Sequence, residues 1–313
     1  MNVVVADIGG TGSRLALMQD GRTSEVREYS NAGYQDFDAI LQDYLQYLIQ
    51  RPERLAVAVA GPVLDGQVHM TNLGWDLNSS SIAAAFDFKQ VELVNDFFAL
   101  AWSTVHLEAA DLHQVGGGEA RAHANRVILG PGTGLGVSAL VSDGTGWIAV
   151  AGEGGHVSMA ACNQQETELI DSARAEFGHC SAERLVSGAG LAFIYRHLGG
   201  QSCSPEQVSA RATAGEQRAS QAVEIFCCLL GTVASNLAIT FGAHGGVYLA
   251  GGILPAMLDT FRASGFRQRF EAKARYRDYL AAMPSWVITR RNPSFLGLYE
   301  WMQRNSAARQ SAH

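Results

Sequence analysis

Hydrophobic and polar positions along the first hundred residues alternate between two periods. Short runs rich in β-branched and aliphatic residues predict strands near 3–6, 14–18, 55–60, 67–71 and 91–94. Between them Phe37, Ile40, Leu41, Tyr44, Leu45 and Leu48 recur at steps of three and four, the spacing of a helix with one buried face. The strand theme returns at 126–129, 136–141 and 147–150, helices dominate from about 165 to 240, and a further strand falls at 247–250. The stretch AVEIFCCLLGTVASNLAI is apolar on most faces and reads as a buried helix, whereas GGGEARAHAN (116–125) reads as a surface loop. The polar last dozen residues read as a frayed helix or tail. Strands interleaved with helices point to an α/β protein.

The pattern also echoes itself. ADIGGTGSRLAL at 6–17 and LGPGTGLGVSAL at 129–140 each give a strand, a Gly-Thr turn and a second strand, as two related lobes would. A hairpin turn needs one or two glycines for positive φ. The first turn offers more, because Asp7, Gly9, Gly10, Thr11 and Arg14 bring bare amides, a carboxylate, a hydroxyl and a guanidinium to one strand end. Such a set suits a phosphate and its metal. YLAGGILP at 248–255 is a third strand ending in glycines, and three such ends let backbone approach a nucleotide from several sides.

Composition narrows the chemistry. The 313 residues, 47% hydrophobic and 17% charged, suffice for two domains with a substantial core. A net charge of −7 argues against a nucleic-acid partner. The one locally basic stretch, Arg262 to Arg277, reads as a solvated helix face. No apolar run is taken to approach the roughly eighteen residues of a membrane span, and Met1 leads straight into a strand, so a cytoplasmic protein is expected. Five cysteines without a C-x-x-C pair are read as reduced, with Cys227 and Cys228 inside the apolar helix.

Common nucleotide motifs are missing. There is no G-x-x-x-x-G-K-[ST] loop, and Gly130, Gly132, Gly134 and Gly136 do not give the G-x-G-x-x-G of a dinucleotide fold. Three carboxylate settings remain. VELVNDFFAL ends a strand in Asn95 and Asp96, and a carboxylate there serves either as a helix cap or as a base for an attacking hydroxyl. GEGGHVSM aims Glu153 and His156 around two glycines, as hydroxyl partners rather than metal ligands. Glu183 in SAERLVSG is either another acceptor or a first-turn helix acid. His69, His106 and His179 read as ordinary surface or core residues.

In their order, ADIGGTGSRLAL, VNDF, GPGTGLGV, GEGGH, SAERLVSGAGL and VYLAGGI resemble the bacterial ATP-dependent glucokinases of the hexokinase, actin and heat-shock ATPase superfamily. The resemblance spans roughly residues 3–300. It implies an α/β, two-lobed actin-like ATPase (ribonuclease H-like) fold with an interdomain cleft, with residues 1–106 and 297–313 forming a small domain and 107–296 a large one. It implies transfer of the γ-phosphoryl of ATP to the 6-hydroxyl of D-glucose, assisted by Mg²⁺. Asp7, Gly9, Gly10 and Thr11 would form the first phosphate loop, with Asp7 near the metal. Gly132, Thr133 and Gly134 would form the second, and Gly251 and Gly252 would lie beside the adenosine. Asp96 would be the base, and Asn95, Glu153, His156 and Glu183 would hold the sugar. Relatives also suggest a homodimer. The chain departs from its relatives at Gly12, where asparagine is common, and at Ser158, where an acid is common, and it lacks the cysteine-rich zinc motif of the related repressor and sugar-kinase family. Two alternatives stay open: a kinase for another hexose or using polyphosphate, and a catalytically silent sugar sensor, although nothing before the first strand offers a helix-turn-helix.

Overall fold

A computed structural model describes residues 1–311. The chain separates into two compact units: Met1–Leu107 together with the chain from Arg291 onward, and Glu108–Arg290.

The first unit is built on a sheet of β1 (Asn2–Ile8), β2 (Gly12–Gln19), β3 (Arg22–Ser30), β4 (Arg54–Val59) and β7 (Gln90–Asn95), with β5 (Gln67–Met70) and β6 (Trp75–Asn78) as a separate hairpin. Its order is β3-β2-β1-β4-β7, with β1, β2 and β3 antiparallel and β4 and β7 parallel to β1. Four helices cover it: α1 (Phe37–Gln46), α2 (Ser79–Phe86), α3 (Asp96–Ser103) and α13 (Ser294–Ser311). Strand β1 is apolar without a break from Val3 to Ala6 because both of its faces are buried there. Val4, Ala6 and Ile8 pack with Phe37, Ile40, Leu41 and Tyr44 of α1. Val3 and Val5 pack on the opposite face with Ala99 of α3 and with Phe295, Leu298 and Met302 of α13. Gly297 is required where α13 crosses α3, because a Cβ there would strike the carbonyl of Ala99. The expected C-terminal tail is helical through Ser311, and residues 312 and 313 lie outside the described residues.

The second unit repeats the plan. Strands β8 (Leu112–Gly116), β9 (Arg126–Pro131), β10 (Leu135–Ser142), β11 (Trp147–Gly152), β12 (Val247–Leu249) and β13 (Ser285–Ile288) run in the order β11-β10-β9-β12-β13-β8. Again three antiparallel strands are followed by two parallel to the first of them, with β8 added antiparallel at the far edge. The echo seen in the sequence is thus an echo of sheet topology. Between β11 and β12 lie α4 (Gln164–Phe177), α5 (Ala182–Leu185), α6 (Gly188–His197), α7 (Pro205–Thr213) and α8 (Gln217–Phe241). Four short helices follow β12: α9 (Ile253–Ala256), α10 (Leu258–Ala263), α11 (Phe266–Glu271) and α12 (Arg277–Ala281).

Three expectations need correcting. By length and composition α8 is apolar enough to cross a membrane, contrary to the reading that no run approached that length. Phe226, Cys227, Leu229, Leu230 and Ala234 are nevertheless fully buried in the core of this unit, so its apolar character is that of a central core helix. All five cysteines are free, and burial pushes the Cys227 thiol up to about 12. The stretch from Arg262 to Arg277 is not one solvated face. Arg269 turns inward to Glu166 at 2.7 Å, with side-chain exposures of 16% and 3%. Arg267 pairs with Glu271 at 2.7 Å and donates to the carbonyls of Leu280, Ala281 and Met283. Charge spacing alone does not distinguish a solvated arginine from one whose long side chain reaches a buried acceptor. Finally, the chain rejoins the first unit at Arg291 rather than 297, because Ser294 and Phe295 already pack there.

Candidate active site

In the first unit the candidate residues gather at the carboxyl ends of parallel strands, where open α/β sheets bind ligands. Ile8 lies in register with Val59 and Val59 with Asn95, so the turn after β1, the loop after β4 and the start of α3 leave the sheet side by side. Asp7 precedes the turn. Its Oδ2 accepts a 2.6 Å hydrogen bond from Ser294 Oγ, and Arg14 faces it across the β1–β2 ladder. Burial raises the Asp7 carboxyl above its usual range, while Ser294 and the Arg14 charge pull it down.

The turn itself is tightened by Gly9 N–H donating to the Gly12 carbonyl at 3.0 Å. Gly10 and Thr11 stand exposed at its tip. A residue that sequence reading missed pins it: buried Asn31. Its backbone N–H donates to the Thr11 carbonyl at 3.0 Å, its Nδ2 to the Gly9 carbonyl at 2.9 Å, and its Oδ1 accepts from Ser13 Oγ at 2.7 Å. Only its place at the end of β3 could have flagged it, since one asparagine in a loop carries no pattern of its own. Gly12 has little spare room, because a Cβ there would lie 3.2 Å from the Tyr29 carbonyl.

At the start of α3 the cap is Asn95, not Asp96. Asn95 Oδ1 accepts from the N–H groups of Phe97 and Phe98 at 2.9 and 3.2 Å, and its Nδ2 donates to the Gly61 carbonyl at 3.2 Å. Asp96, the first helical residue, accepts from Phe97 N–H at 2.9 Å. The helix-cap alternative therefore falls on the neighbour, and the Asp96 carboxylate sits half-buried at the strand end.

In the second unit the remaining candidates converge on one turn, Pro131–Leu135, between β9 and β10. Gly132 N–H donates to the Gly134 carbonyl at 2.8 Å, and Gly188 at the start of α6 donates to the Gly132 carbonyl at 2.9 Å. Thr133 is exposed. The GEGGH segment packs beneath, where a Cβ on Gly155 would strike the Leu135 carbonyl. From the β12 end, Gly251 at φ +90° brings its backbone against the Pro131 carbonyl, while Gly252 faces open space. Glu183 closes the fourth side by accepting Leu135 N–H at 2.8 Å. The carboxylates and imidazole expected to face a sugar are held nearby. Glu153 and His156 are over half exposed, 3.9 Å apart, and linked by His156 N–H donating to the Glu153 carbonyl at 3.0 Å. Ala182 N–H ties the next residue, Val157, to α5 at 2.8 Å. Ser158 bonds His179 at 2.9 Å. His69 pairs with Asp76, and His106 with Glu300.

Among the described residues no cluster of three or more histidine, cysteine or acidic side chains could cage a metal. Asp7 offers one hard carboxylate, which suits Mg²⁺, an ion held by one or two carboxylates while nucleotide phosphates complete its shell.

The fold that carries this site matches those of solved sugar kinases. A crystal structure of glucokinase from an Antarctic psychrotroph superposes with a TM-score of 0.89 at 32% identity, covering 97% of this chain and 99% of that one. A ROK family glucokinase from Streptomyces griseus, solved with glucose and AMPPNP, shares the fold alone, with a TM-score of 0.66 at 17% identity over 95% of this chain and 98% of that one. The fold is thus the mixed α/β, actin-like ATPase fold of the sugar kinases. The glucokinase family profile matches residues 4–305. Glucokinase from Psychromonas ingrahamii is 40% identical over 96% of this chain and 97% of its own length, and that from Paramagnetospirillum magneticum 42% identical over 95% and 96%. The chain belongs to the glucokinase family.

Proposed function

We propose that this chain transfers the γ-phosphoryl of ATP to the 6-hydroxyl of D-glucose, yielding glucose 6-phosphate and ADP. The observation that carries the reading is the register Ile8–Val59–Asn95, which brings the Asp7 turn and Asp96 to one edge of one sheet. The Gly9–Thr11 and Gly132–Gly134 turns would receive the phosphates through amides beyond those of Gly9 and Gly132, which close the turns themselves, and Gly251 and Gly252 would receive the adenosine. Asn95, Glu153, His156 and Glu183 would accept and donate to the sugar hydroxyls. Asp96 would accept the proton of the 6-hydroxyl as its oxygen bonds to the γ-phosphorus and the bond to the β–γ bridging oxygen breaks. Mg²⁺ beside Asp7 would supply charge neutralisation on the phosphates. Catalysis then rests mainly on placement, which is worth most where reacting atoms are held close and aligned. Free cysteines and a buried α8 support a cytoplasmic protein without a membrane anchor, and the net charge of −7 supports one without a nucleic-acid partner. A homodimer is proposed from the resemblance and is checked by sedimentation.

A coupled assay over glucose, mannose and fructose, with ATP and polyphosphate as donors, tests the reading. The expected result is turnover fastest with ATP and glucose, with the phosphate on the 6-oxygen by ³¹P NMR. Preference for another hexose or donor would replace the substrate assignment, and no turnover with any pair would support a silent sensor.

A further inference from the structure

Glu183 does more in this fold than face a sugar. It sits on α5, and its Oε2 accepts the Leu135 N–H at 2.8 Å, at the exit of the Pro131–Leu135 turn. The same oxygen occupies the space that a Cβ on Gly134 would need. The absence of a side chain at Gly134 therefore lets a carboxylate close against main chain. At the other end of the turn, Gly188 N–H holds the Gly132 carbonyl, and Gly188 begins α6 just beyond α5. One segment, 183–188, thus clasps the turn at two points, one of them through an ionisable side chain.

We propose that Glu183 is a positioning residue for the second phosphate turn, fixing the direction of the Gly132–Gly134 amides before nucleotide arrives. A hydrogen bond from an amide to a carboxylate is stronger than one to a neutral oxygen, so its loss frees the turn's exit. A sugar hydroxyl bonded to the same carboxylate would restrain it, so that sugar and nucleotide affinities become linked reciprocally. Identification of the anion as a nucleotide rests on the kinase reading above. The placement of the turn does not.

Calorimetric titration of Mg·ADP in the absence of sugar, on wild type, Glu183→Ala, Glu183→Gln, Gly134→Ala and Glu153→Ala, separates the roles. Glu183→Ala and Gly134→Ala are expected to weaken ADP about tenfold, the scale of one lost charged hydrogen bond. Glu183→Gln keeps an acceptor oxygen and should recover most of the affinity. Glu153→Ala, also placed at the sugar but given no bond to the turn, should leave ADP affinity unchanged. Hydrogen–deuterium exchange of the peptide covering 131–136, without nucleotide, should speed up in Glu183→Ala and not in Glu183→Gln. Unchanged ADP affinity together with unchanged exchange in Glu183→Ala would overturn the proposal. Should wild type bind no ADP, the kinase reading fails while exchange still decides whether Glu183 holds the turn.

Discussion

Ser294 Oγ donates a 2.6 Å hydrogen bond to Asp7 Oδ2, tying the first residue of the last helix to the carboxylate that ends the first strand's run. Ser294 is almost wholly buried, so this bond is dry and directional. Asp7 is proposed to lie beside the metal, and partners of metal-holding carboxylates typically contribute tenfold or more to activity. Ser294→Ala is expected to lower kcat/KM for Mg·ATP about tenfold at saturating glucose. Steady-state kinetics across Mg²⁺ concentrations check it, and an unchanged value would remove Ser294 from the positioning of Asp7.

Two adjacent glycines should respond in opposite ways. Gly251 has φ +90° and a backbone pressed on the Pro131 carbonyl, whereas Gly252 has ordinary φ and open space. Gly251→Ala is expected to cost about 1–3 kcal/mol and to weaken nucleotide binding, because strain and contact both displace the turn. Gly252→Ala should leave folding stability unchanged. Thermal unfolding and ADP titration of the pair distinguish them, and equal behaviour would contradict the packing described.

Much of this arrangement was legible beforehand, for physical reasons. Glycine turns at strand ends are visible because positive φ and close backbone approach exclude side chains, as at Gly251. The apolar runs at Val3–Ala6 of β1 and along α8 are visible because most of their surface is buried. What stayed hidden depends on partners distant in sequence. Asn31 pins a turn some twenty residues upstream, and Ser294 reaches Asp7 across nearly the whole chain. Arg269 looked solvated because Glu166, its partner, lies on α4. At α3 the sequence left cap or base open for Asp96, and the cap falls to Asn95, since both residues suit that role and only backbone direction separates them.

Acid stability should report the clasp of α13. Glu300 is largely buried, with His106 Nε2 at 2.8 Å and Arg304 on its other oxygen. The His106 hydrogen bond, with help from Arg304 and against burial, holds the Glu300 carboxyl below its ordinary value. A depressed carboxyl stabilises the folded state above the unfolded value, and that contribution is lost as pH falls through the folded value. Glu300→Gln is therefore expected to lower stability by about 1 kcal/mol at pH 7, with the gap closing below pH 4.5. Urea unfolding of both proteins from pH 7 to 3 checks the sign, and a gap that persisted or widened at the acid end would contradict it.

The central claim is that Asp96, at the end of β7 beside the Asp7 turn, takes the proton of the attacking sugar hydroxyl. Asp96→Asn keeps the shape and the acceptor for Phe97 N–H while removing the base. Its measurement is kcat for glucose phosphorylation beside calorimetric glucose binding. A fall in kcat of about 10² to 10⁴ is expected, the usual worth of general-base help, with glucose affinity changed far less. Turnover close to that of the wild type would contradict the account.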